Sequence, residues 1–224
     1  MGRRKKARPA RSRGRQVKLD AIHWSEVGAR LDSDGCAVVR GLLDGDACRA
    51  YASAYDAAAR YRSRVVMERH GFGRGEYQYF AYPLPDRLAH LRRALYPSLA
   101  HIANRWHAAM GMEVRFPDDH AAFIARCHAA GQLRPTPLIL QYREGDYNCL
   151  HQDLYGEHVF PLQVAVLLSR PGEDFNGGEF VLTEQRPRMQ SRVEVVQLKQ
   201  GDAVIFPVNL RPVSGARGVY RVSM

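Results

Sequence analysis

Apolar side chains recur along this chain in two different rhythms, which change over near residue 135. Before that point the spacing is helical: Ile22 to Leu31 predicts a short helix, and Tyr51, Tyr55 and Ala58 share one face of another. Leu88, Leu91, Leu95, Leu99, Ile102, Trp106 and Met110 form a long stripe, with a kink expected at Pro97, and Asp118 to Ala130 reads as a third helix. Gly35 to Leu43 reads as a strand and turn that lead to an N-cap at Asp44. Such stripes are far more often core than cofactor contacts. Beyond residue 135 the period shortens to that of strands, at Pro137 to Tyr142, Val159 to Leu168, Glu179 to Thr183, Arg192 to Leu198 and Ala203 to Phe206. Turn signals stand at Gly145-Asp146, Asn176-Gly177-Gly178 and Gly201-Asp202, the middle one predicting that the strands on either side of it pair as a hairpin. Short strands with no helices between them predict an α+β protein: a double-stranded β-helix, or jelly-roll, barrel buttressed by N-terminal helices.

A chain of 224 residues, 46% hydrophobic, can bury one good core. The expected organisation is a basic tail over 1–20 and a single domain over 21–224. Within it, 21–134 supplies a helical buttress and lid, and 135–224 supplies the jelly-roll core.

Charge changes the picture only at the N-terminus. Residues 1–18 hold nine Lys and Arg and no acid, which is +9 of the formal +10, so the pI near 9.8 describes a tail rather than a basic domain. A segment this polar and charged is expected to be disordered, and to act either as a sequence-blind tether for nucleic acid phosphates or as a solvated terminus. Cys36, Cys48, Cys127 and Cys149 show neither a Cys-x-x-Cys spacing nor a paired framework, which excludes a zinc ribbon and a disulfide scaffold and favours reduced thiols. No apolar run reaches the roughly 20 residues that cross a bilayer, and the basic start has no adjoining apolar segment of a signal peptide. The expectation is a cytoplasmic protein without a membrane partner; its oligomeric state stays open.

Chemistry concentrates in Tyr142-Arg-Glu-Gly-Asp-Tyr-Asn-Cys-Leu-His151-Gln-Asp153. Side chains at i and i+2 of a strand lie on one face, so His151 and Asp153 can converge on one metal ion. With a second histidine from a distant strand they would make the two-His-one-carboxylate face of non-haem Fe(II) oxygenases, which leaves positions open for cosubstrate and O₂. After Asp153 the only histidine is His158, which reads as a loop residue before the next strand rather than a replacement ligand.

From about Pro137 onward the chain resembles the Fe(II)/2-oxoglutarate dioxygenases, and Tyr142-x-x-Gly145 followed by Leu150-His151-Gln152-Asp153 has the spacing of AlkB-type nucleic-acid dealkylating enzymes. The blocks Arg74 to Pro83, Pro135-Thr-Pro-Leu138 and Gly178 to Gln190 look like a bacterial family predicted to oxidise damaged bases. The resemblance implies Fe(II) and 2-oxoglutarate as cofactors, His151 and Asp153 as metal ligands and catalytic residues, and Tyr142 as a hydroxyl donor to 2-oxoglutarate. It also implies a distal histidine and an arginine beyond Met224, so the jelly-roll core is expected to be truncated. The chain departs from the AlkB-type pattern at Leu140, where those enzymes have an asparagine, which leaves one cosubstrate contact without a counterpart.

Gly71 to Pro83 interleaves glycines with Phe72, Tyr77, Tyr79, Phe80 and Tyr82 around Arg74. Aromatic loops of this kind can stack an extruded base, so Arg74, Tyr77, Tyr79 and Tyr82 are the candidate substrate lid; a plain β-hairpin is the other reading. Three functions remain open: a DNA-repair dioxygenase acting on damaged nucleic-acid bases, a dioxygenase of a protein side chain or small molecule, and a catalytically impaired nucleic-acid-binding module.

Overall fold

The computed structural model describes residues 19–213 and 218–224. The basic segment 1–18, read above as a tether, lies outside the described residues. Four helices run over Trp24–Asp34 (α1), Gly45–Ser53 (α2), Asp86–Ala109 (α3) and His120–Ala129 (α4). Twelve strands follow Ala37–Val39 (β1), Tyr61–Val66 (β2), Gly73–Arg74 (β3), Glu76–Phe80 (β4), Leu138–Gln141 (β5) and Tyr147–Asn148 (β6). The second half holds Leu162–Val166 (β7), Phe180–Gln185 (β8), Arg192–Val196 (β9), Ala203–Pro207 (β10), Leu210–Pro212 (β11) and Val219–Ser223 (β12).

The strands build antiparallel sheets of order β1-β10-β7, β11-β12-β8-β9 and β2-β4-β5, with β3 paired to β6. Strand β10 shows how the layers stack, because all five of its residues are buried. Ala203 and Ile205 face the helices, joining Val27 and Leu31 of α1, Cys48 of α2 and Leu91, Leu95, Leu99, Ile102 and Trp106 of α3. Val204 and Phe206 point the other way, into a core shared with Leu182, Val196 and Val222 of the second sheet. Period-two alternation thus divides one strand between two cores. The opposite flank of α3 carries Tyr96, Ala100 and Ala103, which pack with Phe116, Phe160 and, on α4, Phe123 and Cys127.

Asp44 caps α2 by accepting from Ala47 N–H at 2.7 Å, as its position before the apolar face predicts. The cap of α4 is Asp119, whose side chain accepts from Ala122 N–H at 2.9 Å. Pro97 sits inside the continuous α3, where it lacks the amide that would bond one turn back. At the end of α1, Gly35 takes a left-handed conformation (φ 81°), and a Cβ there would run into Glu184. Glu184 forms a buried ion pair with Arg211, whose Nη2 donates to Glu184 Oε2 at 2.8 Å and whose Nη1 donates to the Asp32 carbonyl at 3.0 Å.

Two sequence expectations are corrected. The Asn-Gly-Gly turn does not join a hairpin: β7 pairs with β10, whereas β8 pairs with β9 and β12 in the other sheet. A turn signal fixes the local backbone but not which strand is met after it. Nor do Tyr51, Tyr55 and Ala58 share one helix: α2 ends at Ser53, and Tyr55 and Ala58 lie beyond it. Strand β1 pairs with β10, and β4 with β5, across residue 134. No helix among the described residues is long and apolar enough to cross a membrane.

Candidate metal centre

His151 and Asp153 follow the two-residue strand β6 and lie outside any regular strand, a correction to the strand expected there. Their backbone is nonetheless extended and tied down: His151 exchanges both amide hydrogen bonds with Met224, at 2.9 and 3.0 Å, and Gln152 Nε2 donates to the Val222 carbonyl at 2.6 Å. The alternation survives, and the side chains of 151 and 153 meet. His151 Nε2 lies 3.6 Å from Asp153 Oδ1.

The outer ends of both side chains are held. His151 Nδ1 is 2.8 Å from the Cys149 carbonyl, an acceptor, so this nitrogen carries the proton and Nε2 presents its lone pair. Asp153 Oδ2 accepts from Gln163 Nε2 at 2.8 Å, which leaves Oδ1 toward the imidazole. Ligand bonds of about 2.1 Å allow two donors on one ion to stand at most about 4.2 Å apart, and the observed pair is inside that span. An imidazole nitrogen and a carboxylate oxygen suit a divalent transition metal, and outer hydrogen bonds of this kind are how such ligands are oriented. His151 and Asp153 therefore fit a metal ion. Among the described residues no group of three His, Cys, Asp or Glu side chains converges on one point. His158 does not join: its backbone is held by the Gln132 side chain, whose Oε1 accepts from His158 N–H at 2.8 Å.

The wall beside this pair is the face of the β2-β4-β5 sheet. Tyr77 stands opposite Leu140 and Tyr79 opposite Leu138, so the two tyrosines and two leucines share one face, while Gln78, Phe80 and Ile139 turn into the protein. Tyr142 continues the alternation of β5. Its ring lies against Gly75, where a Cβ would come within 2.8 Å of it at a φ of 116°. Gly75→Ala is therefore expected to displace the Tyr142 ring and change the near-ultraviolet circular dichroism of the folded protein; an unchanged spectrum would refute it.

Burial raises the hydroxyl pKa of Tyr142, opposed by a hydrogen bond from the Asn148 side chain. Burial also raises Tyr77, and it pushes Tyr79 up to about 12; the Asp153 carboxylate adds to both shifts. Those phenols thus remain protonated near neutral pH and lie within electrostatic range of Asp153. Tyr155 behaves likewise, raised by burial and then by Asp153. The Tyr77 and Tyr79 rings meet edge to face at 5.5 Å, and the Arg62 guanidinium lies 4.2 Å above Tyr79.

The aromatic segment read as a lid is thus a strand within a sheet, closer to a fixed wall than to a loop. Arg74 is exposed on β3 opposite Tyr147, and Tyr82 turns its ring edge to His128 of α4. The structure brings together His151, Asp153, Tyr142, Tyr77 and Tyr79, and sets Arg74 and Tyr82 aside. Sequence reasoning missed Gln163, Tyr155 and Arg62. Tyr155 was within reach of it, being two residues past Asp153 in the same alternation, and so was Gln163, the one polar residue in the run Phe160 to Leu168.

Residues 75–224 match a family model described as an oxygenase catalysing oxidative methylation of damaged DNA. Uncharacterized proteins from two strains of Mycobacterium tuberculosis, CDC 1551 and H37Rv, are each 52% identical over 139 residues, which is 62% of this chain and 60% of theirs. The chain thus spans less than two thirds of these curated relatives. A prolyl-4-hydroxylase from Pseudomonas putida superposes with a TM-score of 0.47 at 12% identity, over 90% of each chain.

Proposed function

This chain belongs to the oxygenase family whose model it matches over two thirds of its length, and from that premise we propose that it is an Fe(II)- and 2-oxoglutarate-dependent dioxygenase that oxidatively demethylates damaged nucleic-acid bases. The observation that carries the proposal is the His151 and Asp153 pair, facing at 3.6 Å with both outer ends already hydrogen-bonded. The two sheets that enclose Val204, Phe206, Leu182 and Val222 are the facing walls of a jelly-roll in this reading. The four cysteines, all free, are consistent with a reducing cytoplasm.

When bound, Fe(II) and 2-oxoglutarate supply oxidation of a substrate C–H bond by O₂ with release of CO₂ and succinate; on an N-methyl group, loss of formaldehyde then restores the base. His151 and Asp153 would hold the metal. The Tyr142 hydroxyl, kept protonated by its surroundings, would donate to a carboxylate of the cosubstrate. Leu138 and Leu140 line the same face with apolar surface. Tyr77 and Tyr79, with Arg62 stacked on the latter, offer planar surfaces to a base beside Asp153. The nine cations of 1–18 attract the nucleic acid without reading its sequence.

The test is incubation with Fe(II), 2-oxoglutarate, O₂ and an N-methylated single-stranded oligonucleotide, reading succinate and formaldehyde. Tyr77→Ala or Tyr79→Ala should raise the oligonucleotide KM by roughly 5- to 150-fold, from a stacking loss of about 1–3 kcal/mol, and slow uncoupled turnover less. Deleting 1–18 should weaken oligonucleotide binding and flatten its salt dependence, by about 0.7 to 0.9 in logarithmic slope per phosphate released. Succinate formation that ignores every nucleic acid but rises with a peptide or metabolite would overturn the reading.

A further inference from the structure

Gln163 occupies β7 opposite Phe206, on the strand face that carries Ala165 into the core between the two sheets. An amide at such a position needs a reason, because Gln163 is half-buried on the face that Ala165 and Phe206 turn into an apolar core, where a polar group costs stability unless it is paired. Only half of it is paired. Nε2 donates to Asp153 Oδ2 at 2.8 Å, whereas Oε1 is buried with no hydrogen-bond partner. Turning the amide over would set its oxygen against a carboxylate oxygen, two acceptors facing each other, so the orientation is chemically determined. A side chain retained for packing alone would be apolar; this one makes one bond, and that bond goes to the carboxylate beside His151 Nε2.

We propose that Gln163 is a positioning residue for the metal site: its N–H holds Asp153 by Oδ2, so that the carboxylate meets a metal ion through Oδ1, on the side where His151 presents its lone pair. The inference rests on the reading of His151 and Asp153 as metal ligands and adds a residue that touches neither metal nor substrate. Fixing the carboxylate in advance removes a rotation that metal binding would otherwise have to freeze, and such outer partners typically contribute 10- to 100-fold in metal affinity.

Gln163→Met keeps the length and volume of the side chain and removes the donor, and Gln163→Ala removes both. Mn(II) binding is followed by calorimetry and electron paramagnetic resonance, the ligand field by the visible spectrum of the Co(II) form, and folding by circular dichroism. The expected result for Gln163→Met is a folded protein with a Kd for Mn(II) raised 10- to 100-fold and a shifted Co(II) spectrum, with Gln163→Ala at least as impaired. A Gln163→Met protein with the wild-type Kd and Co(II) spectrum would overturn the inference while leaving the metal reading in place, provided that His151→Ala still loses the ion. Loss of folding in Gln163→Met with no spectral change in the folded fraction would show a purely structural role and overturn it too. Wild-type protein that binds Mn(II) no better than His151→Ala would overturn both readings together.

Discussion

His151→Ala is expected to abolish measurable Mn(II) or Fe(II) binding in anaerobic calorimetry, from a wild-type affinity that is itself weak. Two protein side chains converge on the site among the described residues, so the ion would be left largely to water and cosubstrate. Each ligand then carries a large share of the affinity, and removing the only neutral nitrogen donor leaves a single carboxylate oxygen. Asp153→Ala should do the same and in addition release the Gln163 amide. Neither change should unfold the protein, because both side chains are partly exposed, at 36% and 23%, and neither belongs to a packed apolar cluster. Tight stoichiometric binding by the wild type would mean that another side chain completes the site, and binding retained in His151→Ala would remove it from the ligand set.

Arg211→Ala is expected to cost about 3–5 kcal/mol of stability, because it leaves the Glu184 carboxylate buried without its partner. For a domain of this size that corresponds to a fall in Tm of roughly 6–20 °C, readable by calorimetry. The pair is 2% and 3% exposed in its side chains, so water cannot take over the role of the guanidinium. Arg211 also donates to the carbonyl of Asp32 in α1 and stacks 4.4 Å over Tyr220, so it ties the helical layer to the β11-β12 hairpin. Replacing both members by apolar side chains, as in Glu184→Leu with Arg211→Met, should recover much of the loss, since breaking a buried pair is worse than lacking one. A single variant with unchanged Tm would show that the site admits water.

The long helix was legible because its apolar period is long and regular. The stripe from Leu88 to Met110 emerges as α3 almost whole, since seven apolar residues at this spacing leave one face to bury and one way to bury it. The Asp44 cap was legible for the same reason: a short acceptor just before an apolar face satisfies amides that the helix cannot. At the site, the meeting of the His151 and Asp153 side chains could be read because it rests on alternation within a few residues, which holds even where no regular strand forms.

Pairing across the chain was not legible. An Asn-Gly-Gly turn looks the same whether the next strand returns to its neighbour or crosses to a second sheet, so the fates of β7 and β8 depended on β10, β9 and β12 further on. The sequence by itself determined where the long helix runs, where several of the strands lie, where charge accumulates, and that His151 and Asp153 stand two residues apart. Only the tertiary structure decided that Gln163 reaches Asp153 from the neighbouring strand, that Tyr77 and Tyr79 stand in a sheet wall beside it, and that Arg74 and Tyr82 turn elsewhere. The reason is range: periodicity and capping act over a few residues and are written locally, whereas a contact between residues far apart in the chain exists only once the layers have packed.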